Sequence, residues 1–139
     1  MAKSTLLNIT QRLKFASGSI APADTTTLKT LYTASADDAV LKSLLITSTD
    51  TAIQNVQLFV NDGTADRLIG TINVPANAGN NGSVASVDAL NGTMLPGLPY
   101  DQNGKRILPM KAGAILKAAV LVTVTAAKKI DFLGTVEEY

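Results

Sequence analysis

Eleven carboxylates, three tyrosine hydroxyls and twelve lysine or arginine side chains are the whole ionisable side-chain chemistry of this sequence, which holds neither histidine nor cysteine. Without histidine there is no ordinary general base, proton shuttle or imidazole metal ligand. Without cysteine there is no thiolate nucleophile, zinc–sulfur site or disulfide. Ser-His-Asp and Cys-His mechanisms are therefore excluded, and carboxylate-only hydrolysis of the glycosidase kind is the acid–base chemistry left open. The acids that would do it, Asp37, Asp38, Asp50, Asp62, Asp66 and Asp101, stand in turn-forming sequence, where Asp side chains usually tie backbone N–H groups. A structural role is the expectation for them, and no catalytic, cofactor-binding or metal-ligating residue is expected.

Other local patterns carry as little. Asp62-Gly63-Thr64-Ala65-Asp66 has an outline of a calcium loop but lacks the alternating acids and the terminal bidentate Glu. The glycines at 79, 82, 92 and 97 have neither phosphate-loop nor dinucleotide-binding spacing and read as turn residues. Asn8-Ile9-Thr10, Asn81-Gly82-Ser83 and Asn91-Gly92-Thr93 match the glycosylation sequon; with no leader sequence and no cysteine they read as chance matches.

The elements that must position these residues follow from composition and alternation. A chain of 139 residues suits one domain. Hydrophobic residues make up 46% and aromatics only 4%, so the core must be aliphatic. Charged residues are 17%, below the usual share of about 25%, which leaves an apolar, weakly charged surface of the kind that partners cover. The formal net charge of +1 gives no field to attract nucleic acid or an anionic membrane; Lys105-Arg106 and Lys128-Lys129 are isolated dipeptides. No apolar run reaches the roughly 18 residues of a membrane span, and Asn8, Gln11 and Arg12 break the N-terminal apolar stretch before a signal-peptide core forms. A soluble, cytosol-made protein is the expectation.

Loop formers at Ala16-Ser17-Gly18-Ser19 and Ala21-Pro22-Ala23-Asp24 set residues 1–24 apart. This segment reads as an N-terminal arm, helical or extended, followed by a β-sandwich domain over residues 25–139. Strand patterns run through Thr25 to Tyr32 and Val40 to Thr47, with helix as the rival reading for the second. The clearest hairpin follows, Asn55 to Val60 turning at Asn61-Asp62-Gly63 into Leu68, Ile72 and Val74 on one face. Ser83 to Leu90 resumes a strand pattern, Leu95 to Pro99 cannot be a central strand because proline lacks the ladder donor, and Arg106 to Pro109 makes a brief edge piece. A long alternating strand is expected from Ile115 to Thr125, then a last one through Ile130, Phe132 and Val136. The sum is an all-β, antiparallel β-sandwich of about eight strands, of jelly-roll type.

The runs Leu28 to Tyr32, Leu45 to Ala52, Val56 to Gly63, Leu68 to Ile72, Val74 to Gly79, Leu95 to Asp101 and Leu108-Pro109 resemble a family of small tailed-bacteriophage virion proteins. Among these the chain is most similar to the capsid decoration, or cement, proteins of short-tailed phages similar to Bordetella phage. The resemblance covers roughly Thr25 to Gly134 and lies in turns and strands. It implies a jelly-roll protein of the virion, on the exterior of an icosahedral capsid. There it would stabilise contacts between major capsid protein subunits after the shell has expanded, often as a homodimer and with no enzymatic role. On that reading Leu6, Leu7, Ile9, Leu13 and Phe15 of the arm are the candidates for capsid contact. Two rivals follow from other classes. One is a receptor-binding or fibre- or tail-associated virion module presenting a loop such as Ala76 to Gly82 to a host glycan, against which the absence of Trp argues. The other is a carboxylate-dependent hydrolase.

Overall fold

Alternation of small aliphatic and polar residues builds two antiparallel sheets packed face to face. The computed structural model describes residues 12–139. It contains strands β1 (Arg12–Ile20), β2 (Lys29–Thr33), β3 (Ala39–Ser48), β4 (Gln54–Asn61), β5 (Asp66–Val74), β6 (Val87–Asp88), β7 (Leu108–Met110), β8 (Ile115–Val120) and β9 (Ile130–Glu138), with a single 3₁₀ turn at Pro22–Asp24. The all-β sandwich expected from the sequence is what forms, and the apolar run at residues 40–47 is strand, not helix.

One sheet has the order β1-β9-β3-β6, with β7 also on β3; the other runs β2-β8-β4-β5. β6 pairs with Leu45 and Ile46, and β7 with Ala39 to Leu41, so the two short strands share one edge of β3 end to end. The pairing is nested: β1 with β9, β2 with β8, β3 with β6 and β7, β4 with β5.

Between the sheets Ala16, Ile20, Leu41, Leu44, Ile46, Ile130, Phe132 and Val136 meet Leu31, Tyr32, Val56, Leu58, Ile72, Val74, Leu116, Ala118 and Val120. The core is almost wholly aliphatic, as the aromatic count requires. Where β3 bulges between Leu41 and Ser43, its backbone comes down onto β9 at Gly134. A Cβ there would stand 2.5 Å from the Ser43 carbonyl oxygen, so only glycine fits.

Four expectations need correction. The arm does not extend to Asp24: Arg12 to Ile20 pairs in unbroken register with β9, and Ala16 and Ile20 are fully buried, so this segment is part of the sandwich. The strand expected from Ile115 to Thr125 ends at Val120, after one last in-register bond from Leu121 N–H to the Asn55 carbonyl. The strand pattern at 83–90 yields only Val87–Asp88. Leu68 does not share a face with Ile72 and Val74, because a bulge opposite Leu58 and Phe59 shifts the alternation by one residue and turns Leu68 outward.

Candidate interface on the five-stranded sheet

The outward side chains of β1, β9 and β3 fall into rows fixed by register. Leu13 lies beside Glu137 and Val40, Phe15 beside Thr135 and Ser43, Ser17 beside Leu133 and Leu45, and Ser19 beside Asp131 and Thr47. Leu13 and Phe15 are 65% and 60% exposed, and Leu45 and Leu133 are about half exposed. Since diagonal neighbours across strands lie within reach of long side chains, Leu13, Phe15, Leu133 and Leu45 form an oblique apolar stripe over three strands. Hydroxyl groups border it, with Ser43 Oγ and Thr135 Oγ1 2.9 Å apart. Charges close both ends: the Lys129–Asp131 pair at 3.1 Å and the Arg12 guanidinium, which lies between Asp37 and Glu138.

The opposite sheet presents a different face. Asn55 lies beside Asn73 and Gln57 beside Thr71, while Lys117, next to Thr30 and Phe59, pairs with Asp66 at 3.0 Å. Amides, hydroxyls and a paired lysine lie there, together with half-buried Phe59 and, beside it, Leu68, which is about half exposed.

Of the five residues expected to make partner contact, Leu13 and Phe15 stand on this stripe, carried by a strand and not by an arm. Leu6, Leu7 and Ile9 lie outside the described residues. Leu45 and Leu133 were missed because each sits in a continuous apolar run, Leu44-Leu45-Ile46 and Phe132-Leu133, where the outward member has no distinguishing neighbour in sequence.

The acids are engaged in holding turns. Asp50 is fully buried; its carboxylate accepts from Ala52 N at 2.9 Å, Gln54 Nε2 at 2.8 Å, and Thr125 N and Oγ1 at 3.0 and 2.8 Å. Burial pushes its carboxyl up, but the four hydrogen bonds outweigh that and hold it down at about 2. Asp62 accepts from the backbone N–H groups of Ala65 and Thr64 and from Arg67, and is likewise held at about 2. This is the turn that the sequence suggested as a calcium loop. Asp101 accepts from Asn103 N and Lys105 N.

Glu138, buried at the end of β9, takes a short hydrogen bond from the Tyr32 hydroxyl and lies 3.2 Å from Arg12 Nη2. The Tyr32 bond is the main reason its carboxyl is held below the usual range. Burial first, and then Glu138, pushes the Tyr32 hydroxyl well above its ordinary value. Among the described residues, no three acidic side chains converge as a metal site would require.

No protein-family model matches the chain, and no curated protein matches it. Among solved structures it is similar to the Drosophila NLP-core, whose crystal structure concerns pentamer formation and histone binding, at 9% identity and a TM-score of 0.43 over 88% of this chain and 96% of that one. At that level the likeness carries no argument about partners or assembly.

Proposed function

We propose that this chain is a structural virion protein, without enzymatic activity, that decorates the exterior of an icosahedral phage capsid and cements neighbouring major capsid protein subunits. The observation that carries the reading is the apolar stripe of Leu13, Phe15, Leu133 and Leu45 over three strands of one sheet face, bordered by hydroxyl and charged groups. An unpaired apolar patch rimmed by polar groups is a feature of protein–protein contact surfaces. The sequence resemblance supplies the partner, and the nested strand pairing supports the finer jelly-roll reading. Such a protein works by passive contact repeated over many copies, so modest individual interfaces suffice once they are multiplied on one shell.

The same reading has the copies paired as homodimers, made in the host cytoplasm before they join the particle. β1 is the edge best suited to that pairing: its nine residues hold unbroken register and contain neither proline nor a bulge. The other edges are shorter or bulged, with β2 irregular between Thr30 and Tyr32 and β5 bulged.

The test is the copy number of this chain relative to the major capsid protein in purified virions, by quantitative mass spectrometry. A simple ratio set by icosahedral symmetry is expected. A handful of copies per particle would shift the reading to a fibre or tail module, and absence from virions would overturn it.

A further inference from the structure

A cleft of about 480 Å³ opens between the C-terminal end of the chain, the start of β3 and the loop from Tyr100 to Arg106, a volume within the range of small-molecule sites. Two of the three tyrosines meet there, Tyr100 at 60% and Tyr139 at 55% exposure. In a chain with so few aromatic residues, two exposed rings in one cleft are costly to leave unused, since sparse aromatics ordinarily fill the core.

The rings are held on anchored backbone. Tyr100 bridges Arg106 across the loop, and the Arg106 guanidinium lies 5.1 Å from the ring centroid while its Nη1 donates to the Gly92 carbonyl at 3.1 Å. One ring face is therefore occupied by a fixed cation and the other is turned to solvent. Asp101 closes the loop beneath it: its N–H donates to the Lys105 carbonyl, its Oδ1 accepts from Asn103 N and Lys105 N, and Gly104 takes the positive φ of 76° that the turn needs. Lys42 Nζ, 3.4 Å from Asp101 Oδ2, ties the loop to β3. On the other wall, Tyr139 N donates to the Asp38 carbonyl at 3.0 Å. A pocket built this way loses little conformational entropy when it is filled.

The polar groups around the rings set the ligand chemistry. Gln102 and Asn103 are exposed on the loop, and their side-chain amides each offer a carbonyl acceptor and an NH₂ donor. Lys42 and Asp101 neutralise each other, while Glu137, which lines the floor, has no cationic partner among the described residues. Flat aromatic faces, planar amides and a carboxylate acceptor match a pyranose ring, which has an apolar C–H face and a rim of hydroxyl groups. The unneutralised Glu137 disfavours an acidic sugar or a phosphate.

We propose that this cleft binds a neutral hexose unit of a surface oligosaccharide, stacked on Tyr100 and Tyr139 and hydrogen-bonded by Gln102, Asn103 and Glu137. The cleft borders the Leu13 end of the apolar stripe, since Val40 and Glu137 belong to both, but the proposal does not depend on the capsid reading.

The test is heteronuclear NMR of the full chain titrated with the methyl glycosides of glucose, galactose, mannose and N-acetylglucosamine, with free sialic acid as the acidic probe. Saturable shifts are expected at the amides of residues 100–103 and 137–139 for at least one neutral sugar, with a dissociation constant on the order of 1 mM, as a weak single-sugar site gives. Tyr139→Ala and the exposed pair Gln102→Ala with Asn103→Ala should each weaken binding at least about tenfold, equivalent to 1.4 kcal/mol, while Leu68→Ser, at an exposed position of the other sheet, leaves it unchanged. The double amide variant keeps the test valid should a tyrosine variant disturb the loop. The proposal is overturned by no saturable shift up to about 100 mM, a hundredfold above that weak-site scale, by shifts mapping elsewhere, by binding that survives the amide variant, or by tighter binding of sialic acid.

Discussion

Replacing Asp50 with Asn isolates the carboxylate that joins the β3–β4 connection to the β8–β9 loop. Each carboxylate oxygen accepts two hydrogen bonds: Oδ1 from Ala52 N and Thr125 Oγ1, Oδ2 from Gln54 Nε2 and Thr125 N. Asparagine keeps the shape but turns one acceptor into an NH₂ donor, which must then face two donors at a site with no solvent. Two charge-assisted bonds are lost and their donors stranded, at about 3 kcal/mol in total, a large part of the roughly 5–15 kcal/mol that holds a domain together.

The pH dependence gives an independent check. Asp50 titrates at about 2 in the folded chain against an ordinary 3.8. A depressed carboxyl stabilises the fold fully above its unfolded value and loses that contribution as pH falls through the folded one. The difference of nearly two units is worth about 2 kcal/mol, lost between roughly pH 4 and 2. Urea unfolding followed by circular dichroism should find Asp50→Asn less stable by about 3 kcal/mol at pH 7, with the gap to the parent narrowing toward about 1 kcal/mol near pH 2. A deficit below about 1 kcal/mol at pH 7, or a gap that does not change with pH, would refute the reasoning.

Gly134→Ala should cost about 2–3 kcal/mol in the same assay, because the new methyl meets the Ser43 backbone oxygen; Gly18→Ala, whose nearest atom is the movable Leu31 Cδ2 at 2.8 Å, should cost less, and equal costs would mean that the β3 bulge yields. Glu138→Gln should lower the Tyr32 titration toward its ordinary value of 10.0 while burial still keeps it raised, read by ultraviolet difference titration. Since a raised hydroxyl stabilises the fold below its unfolded value and loses that stability as pH climbs through the folded one, the variant should also draw less of its stability from this group in the alkaline range; an unmoved Tyr32 would remove Glu138 as a cause. Leu13→Ser combined with Phe15→Ser should change stability by less than about 1 kcal/mol, as exposed strand positions do, yet reduce retention on purified capsids in sedimentation at least tenfold; undiminished retention would take β1 out of the proposed contact.

The parts of this fold that were legible in the sequence are those where packing and alternation agree, such as the β4–β5 hairpin and the inward Leu116, Ala118 and Val120 of β8. β1 was missed because its pattern is inverted: the inward face carries Ala16, Gly18 and Ile20, while the large Leu13 and Phe15 point out. A strand whose bulkiest residues face solvent, with Ser17-Gly18-Ser19 in its middle, reads as a tail. The same inversion makes it a candidate interface, so the failure of the periodicity rule and the proposed contact surface have one cause.

The early end of β8 has a different origin. Leu121 to Val124 continues the alternation, but Thr125 must reach the buried Asp50, and its two hydrogen bonds to that carboxylate outweigh a continued ladder. Val124 is still buried, whereas Leu121 and Val122 are left exposed. In a chain with so few charges, a fully buried one directs the path of a loop some 75 residues away in sequence, a long-range constraint that local pattern reading does not contain.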